Sequence, residues 1–241
     1  MNYVVLGVDC CTRWTNIGVS INGKVAAEMN MNIGRNQGSK LPILVETLVS
    51  SLGMEISDIS AVAMTIGPGY FTGIRVGLAY GCGLAKGLGV PVIPISTLEA
   101  MGYLASKLGL TTIPLIWAGR GGVYGGAYRM EDNVFEEVWS PAFFTAEEII
   151  VKSRGLQNKK TLCSICDDLE RVSALFSEGG RTSPFPLVQG TVSGGTLALL
   201  GHKWKERAKK PDKIRPLYLR EPDFGTFKLK NRAVFNIQTA L

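Results

Sequence analysis

The chain has 241 residues, 46% of them hydrophobic and 19% charged, with a mean hydropathy of +0.16. That is enough apolar material for one large core or two modest domains, and it excludes general disorder. The net charge is +6, but eleven basic and four acidic residues fall between Gly201 and Leu241, so a basic tail sits on a near-neutral body rather than a basic groove crossing the whole protein.

Val4 to Val8 is a short β-branched run that reads as a buried strand ending at Asp9. Asn16 to Ile21 reads as a second strand, and Asn22-Gly23 is the pair a type I′ hairpin requires, so Lys24 to Met29 is expected to return antiparallel. Leu41, Leu44, Val45, Leu48 and Leu52 fall on one stripe of a helix, with Pro42 placed in its first turn. Ile59 to Ile66 is a strand stopped by Gly67-Pro68-Gly69. Thr72 is expected to cap a helix from Gly73 to about Leu88, Val90 to Ile95 follows as a strand, and Ser96-Thr97-Leu98-Glu99 is a capping box opening a helix to about Leu108.

Beyond Gly109, strands are expected over Thr112 to Trp117, Gly122 to Arg129, Val134 to Val138 and Thr161 to Cys166. A second capping box, Thr145-Ala146-Glu147-Glu148, precedes a short helix. Arg181 to Gly190 reads as loop, and Thr196 to Ala208 as a helix with Leu197, Leu200 and Trp204 on one side. The fold class is therefore α/β, with an antiparallel hairpin at its beginning.

His202 is the single histidine, which removes every metal site or catalytic centre built on two or more. The five cysteines do not make a disulfide scaffold, and Cys163-Ser164-Ile165-Cys166 is a lone pair without the further ligands zinc needs. No stretch approaches ~20 uninterrupted apolar residues, so a soluble protein of the reducing cytoplasm, with no membrane partner, is expected.

Asp9, with Thr12 three residues on, stands where a phosphate-binding loop would orient metal-bound water, and a turn cap is the plainer role for the same carboxylate. The run Gly67-Pro68-Gly69-Tyr70-Phe71-Thr72-Gly73-Ile74-Arg75 is a glycine-rich turn entering a helix, suited either to cradling an anion, with Arg75 assisting, or to letting that helix lie very close to a neighbour. Gly73, Gly77, Gly81 and Ala85 recur at i+4 and make an edge without bulk. Each interior glycine costs about 1 kcal/mol in helix propensity, so close backbone approach must compensate, and spacing alone leaves open whether the neighbour is the parent sheet or another subunit. Lys203, Lys205 and Arg207 read as a solvated helix face first and as RNA phosphate contacts second, and Lys203, Lys205 and Lys209 are the candidate tRNA phosphate contacts in the basic segment.

The chain resembles the bacterial YeaZ/TsaB family, related to the actin/Hsp70/sugar-kinase superfamily. The stretches that carry the resemblance are Leu6-Gly7-Val8-Asp9, the run from Gly67 to Leu78 continuing to Ala85-Lys86-Gly87-Leu88, Ser96 to Ala100, Arg120-Gly121-Gly122-Val123-Tyr124, and Pro216-Leu217-Tyr218-Leu219-Arg220. The chain departs from the family in two places. Arg35-Asn36-Gln37-Gly38-Ser39 lacks the histidine common before the first long helix, and Trp117 stands where an aspartate is usual.

The resemblance implies an actin-like, ribonuclease H-like fold of two subdomains, each a mixed sheet with packed helices: residues 1–100 with 192–208, a reduced second subdomain over 101–191, and a basic tail over 209–241. It implies a non-catalytic partner subunit for threonylcarbamoyl transfer to adenosine 37 of tRNAs reading ANN codons. The partners implied are a TsaD-like catalytic subunit, a TsaE-like ATPase and tRNA, with a homodimer when the chain is alone. No cofactor of its own is implied, ATP and metal belonging to the partner subunits. The pairing surface implied is the helix of Leu41, Leu44, Val45, Leu48 and Leu52 with the glycine edge Gly73, Gly77, Gly81 and Ala85, so that Gly77→Leu is expected to block pairing and leave the monomer folded. The alternative is a phosphotransferase or ATPase acting through the cleft of Asp9 and Thr12.

Overall fold

In a computed structural model describing residues 2–119, 121–156 and 161–220, the β-branched run at the start of the chain forms β1 (Val4–Asp9). β2 (Trp14–Ile21) returns antiparallel beside it, and Asn22 and Gly23, with φ of 51° and 77°, make the left-handed two-residue turn into β3 (Lys24–Asn32). After the helix α1 (Gln37–Ser51), β4 (Ala61–Thr65) pairs parallel with β1. The helix α2 (Phe71–Leu88) then leads to β5 (Val92–Ile95), parallel to β4. The sheet order is β3-β2-β1-β4-β5, the ribonuclease H-like arrangement.

Strand alternation divides the core around this sheet. Val4, Leu6 and Val8 of β1 pack with Leu41, Val45 and Leu48 of α1 and with Ala85 of α2. Val5 joins the opposite layer with Leu98 of α3 (Thr97–Lys107) and with Leu197 and Leu200 of α6 (Gly194–Lys203). The return of α6 to the first sheet depends on missing side chains. A Cβ at Gly18 would collide with the Gly194 backbone, and one at Gly194 with the Ile17 backbone, so helix and strand meet main chain to main chain.

The second sheet holds β6 (Thr111–Thr112), β7 (Leu115–Trp117), β8 (Val123–Glu131), β9 (Val134–Phe144), β10 (Leu162–Cys166) and β11 (Leu187–Gln189). Its order is β11-β10-β6-β8-β7, with β9 paired to β8. α4 (Ala146–Arg154) and α5 (Leu169–Ser177) close a separate core of Leu115, Val123, Ile149, Val172 and Phe176. The molecule is thus α/β, with two mixed sheets and six α-helices among the described residues.

Several local expectations change. α1 begins at Gln37, not Leu41, which places Pro42 inside the helix. Thr72 caps nothing: Tyr70 is the N-cap of α2, and its amide donates to the Cys11 carbonyl at 2.7 Å. The strand expected over Thr112 to Trp117 is two short strands separated by Ile113 and Pro114. The expected loop Arg181 to Gly190 contains β11, and α6 stops at Lys203 before a single 3-10 turn over Lys205–Arg207.

Candidate functional site at the junction of the two sheets

Asp9 ends β1 with its carboxylate fully buried and committed to neighbours. The Thr65 hydroxyl donates to Oδ1 at 2.6 Å, the Cys11 amide donates to the same oxygen at 3.1 Å, and Asn16 Nδ2 donates to Oδ2 at 2.7 Å. Burial pushes the carboxyl above the ordinary aspartate range while these bonds hold it down. Thr12 is also buried: its hydroxyl accepts from the Trp14 amide at 3.2 Å and meets the Thr191 hydroxyl at 3.4 Å. Together these groups form a latch joining β1, β2, β4 and the segment before α6.

The N-terminus of α6, which projects free amides suited to an anion, is already filled. Asn30 Oδ1 accepts from the Gly194 amide at 3.0 Å, Glu28 Oε2 from the Gly195 amide at 2.7 Å, and Ser193 Oγ from the Thr196 amide at 3.0 Å. A carboxylate of the chain's own sits where a phosphate would. The phosphotransferase alternative therefore finds neither a free Asp9 nor open amides here.

The glycine-rich turn resolves in favour of close packing. A Cβ at Gly69 would strike the Cys11 carbonyl, one at Gly73 the Cys10 carbonyl, and one at Gly67 would lie 2.5 Å from the Leu217 carbonyl oxygen. Arg75 does not face an anion site. Its guanidinium lies 3.8 Å above the Phe71 ring, and its Nε donates to the Tyr218 hydroxyl at 3.4 Å.

The proposed pairing residues need correcting. Gly73, Gly77, Gly81 and Ala85 are the buried edge of α2, facing β1 and β4: a Cβ at Gly77 would meet Cys10 Cβ at 3.5 Å, and one at Gly81 Met64 Cε at 2.7 Å. Leu41, Val45 and Leu48 are buried under the same sheet, and Leu44 and Leu52 are half-buried against that core. The side of α1 and α2 left open is a different one. Ile43 is 56% exposed, Ala79 and Gly83 are exposed, Val76 and Tyr80 are half-buried, and a Cβ at Gly83 would meet nothing within 4 Å.

Motif residues far apart in sequence converge on a cavity of about 320 Å³ between the sheets. Its walls include Tyr70 of the turn, Trp117 of β7, Tyr124 of β8, Arg171 of α5, and Tyr218 and Arg220 beyond α6. Asp167, 5% exposed, lies behind this wall: its Oδ1 accepts from the Trp117 amide at 2.8 Å. Neither Asp167 Oδ2 nor the Tyr70 hydroxyl, both shielded from solvent, has a hydrogen-bond partner among the described residues. Arg171 and Arg13 lie 3.5 and 3.6 Å from the neighbouring Asp168. Sequence reasoning missed Asp167, Arg171 and Gln37. The Gln37 side chain, in the stretch that lacks the family's histidine, donates to the Thr12 and Trp14 carbonyls at 3.1 and 2.9 Å and closes the latch loop.

Elsewhere, Lys203, Lys205 and Lys209 are all exposed, Lys203 with its ammonium 5.5 Å from the Tyr103 ring centroid. Cys163 and Cys166 alternate to opposite faces of β10, and burial pushes both thiols up, Cys166 to about 12. Among the described residues no cluster of three or more histidine, cysteine or acidic side chains could hold a metal ion, and no helix is long and apolar enough to cross a membrane. Arg120, and residues 221–241 of the basic tail, lie outside the described residues.

The family model for TsaD, tRNA N6-adenosine threonylcarbamoyltransferase, matches residues 32–194. The chain is 32% identical over 131 residues to the tRNA threonylcarbamoyladenosine biosynthesis protein TsaB of Escherichia coli (strain K12), across 54% of this chain and 56% of that protein. The chain belongs to the TsaD family, in its YeaZ/TsaB branch. The TsaB protein of Bacillus subtilis (strain 168) is 27% identical over 134 residues, across 56% of this chain and 58% of that one, so the match spans a little over half of these relatives' lengths. A crystallised YeaZ from Pseudomonas aeruginosa, 23% identical, shares the fold with a TM-score of 0.77 over 90% of this chain and 100% of that one.

Proposed function

We propose that this member of the YeaZ/TsaB branch is a non-catalytic partner subunit in forming N6-threonylcarbamoyladenosine at adenosine 37 of ANN-decoding tRNAs. It pairs with a TsaD-like catalytic subunit in the cytoplasm, a TsaE-like ATPase completes the assembly, and ATP and metal are held by those partners. Alone, the chain pairs with itself through the same face. The observation that carries the proposal is the open side of α1 and α2, where Ile43, Ala79 and Gly83 present apolar and bare main-chain surface uncovered by any of the described residues. A second helix pair packs closely against such a surface, because small residues allow short interhelical distances. The committed state of Asp9 and of the α6 amides supports a binding role over group transfer at this cleft.

Co-purification tests the proposal. Gly83→Leu adds a side chain to open space, so the monomer should keep its fold while capture of the TsaD-like subunit falls at least tenfold. Undiminished capture with Gly83→Leu would remove α2 from the interface and the proposal with it.

A further inference from the structure

The chain beyond α6 forms a strap along the edge of the first sheet. The Lys209 amide donates to the Val92 carbonyl at 2.8 Å at the start of β5, and the Leu217 amide donates to the Ile66 carbonyl at 2.7 Å just past the end of β4. Ile214 is buried beneath the strap, while Lys209, Lys210, Lys213 and Arg215 are exposed along it, four cations against the exposed carboxylate of Asp212. Immediately after Leu217 the strap becomes a wall of the cavity through Tyr218 and Arg220. A row of cations therefore leads into a recess walled by Tyr70, Trp117, Tyr124 and Tyr218.

We infer that this recess receives one unstacked base of a single-stranded RNA segment whose phosphates follow the strap. Phosphates are attracted by a row of lysine and arginine, and exposed aromatic rings are the usual platform for splayed bases. Tyr70, Trp117 and Tyr124 are half-buried walls of the recess and Tyr218 is exposed beside them, so ring faces meet whatever enters. An acidic peptide would satisfy the strap and leave the aromatic walls without a flat ring to stack on. The inference rests on the tRNA reading above and adds where the RNA is held.

The test measures binding of labelled ten-residue oligoadenylate to the full chain, beside an abasic decamer of equal length and free AMP. Replacing Tyr218 by Ala should weaken oligoadenylate binding about 5- to 140-fold, the range for loss of one stacked base, and Tyr218→Phe should stay within about twofold of the parent. The abasic decamer should bind the parent and Tyr218→Ala alike. The double substitution Lys210→Gln, Lys213→Gln should flatten the slope of log affinity against log salt by about 1.4, near 0.7 for each lost single-strand phosphate contact. Equal oligoadenylate binding by the parent and Tyr218→Ala, AMP binding as tight as the decamer, or no RNA binding by the folded parent would each overturn the inference. Capture of the TsaD-like subunit, read separately with Gly83→Leu, would survive any of these failures if only the RNA docking is wrong.

Discussion

The Thr65 hydroxyl donates a 2.6 Å hydrogen bond to the Asp9 carboxylate, tying the ends of the parallel neighbours β1 and β4. With Asn16 and the Cys11 amide as further donors, the carboxylate acts as a buried junction for the start of the fold. Asp9→Ala strands those donors and should lower unfolding free energy by on the order of 2–3 kcal/mol in urea titration. Asp9→Asn keeps one oxygen to accept from Thr65 and Cys11 and loses the acceptor that faces Asn16, so it should cost less stability than Asp9→Ala and should retain partner capture and modification activity. Full stability of Asp9→Asn with complete loss of activity would instead mark Asp9 as catalytic.

The α2 glycines separate by what faces them. Gly73→Ala forces Cβ into the Cys10 carbonyl and should destabilise the chain by several kcal/mol. At Gly77 the nearest neighbour of a Cβ is 3.5 Å away, so Gly77→Ala should be neutral or stabilising by up to about 1 kcal/mol, whereas Gly77→Leu should unfold the monomer rather than spare it. Gly83→Ala, in open space, should stabilise by a similar fraction. Thermal melts of the four variants check this order, and a folded Gly77→Leu monomer would contradict the buried placement of the edge.

Asp167 supplies a pH test. Burial pushes its carboxyl up to about 7 from 3.8, the Asp168 charge adds to this, and the Trp117 amide and Arg13 oppose it. Between those values the folded chain binds more protons than the unfolded one, so this group's contribution to stability declines as pH rises from about 4 to about 7. Asp167→Asn should flatten that decline and be the more stable protein at pH 8, by a few kcal/mol at most. Parallel stability curves for parent and variant over this range would contradict the assigned environment.

Glu28 and the Gly195 amide make a parallel case at the surface. Glu28→Ala removes the anion at the α6 N-terminus and should lower stability by about 1 kcal/mol, as loss of a helix cap does. ATP with magnesium should leave the melting temperature of the parent unchanged, because the amides are occupied. A rise of several degrees would reopen the nucleotide alternative.

Much of the fold is written locally. Asn22-Gly23 fixes its hairpin, and Ser96 with Glu99 and Thr145 with Glu148 announce their helices, the glutamates accepting from the cap amides at 2.9 and 2.8 Å. α5 has the same kind of signal, with Asp168 Oδ1 accepting from the Arg171 amide at 3.2 Å and Val172, Leu175 and Phe176 on one face, but Asp168 lacks the glutamate three residues on that completes the other two capping boxes. The glycine repeat of α2 announced close approach without naming the neighbour, because a missing side chain fits a sheet as well as a second helix. The cavity was not legible at all. Tyr70, Trp117, Arg171 and Tyr218 share no local pattern, and only the closure of two sheets and the strap brings them together.

The most direct measurement of the central claim is the threonylcarbamoyladenosine content of tRNA, by mass spectrometry of nucleoside digests, from cells depleted of this chain and supplied with the parent, Gly83→Leu or Asp9→Asn. A partner subunit acting through the open face of α1 and α2 predicts normal content with the parent and with Asp9→Asn, and a loss with Gly83→Leu equal to that on depletion. Normal content with Gly83→Leu, or unchanged content on depletion, would contradict it.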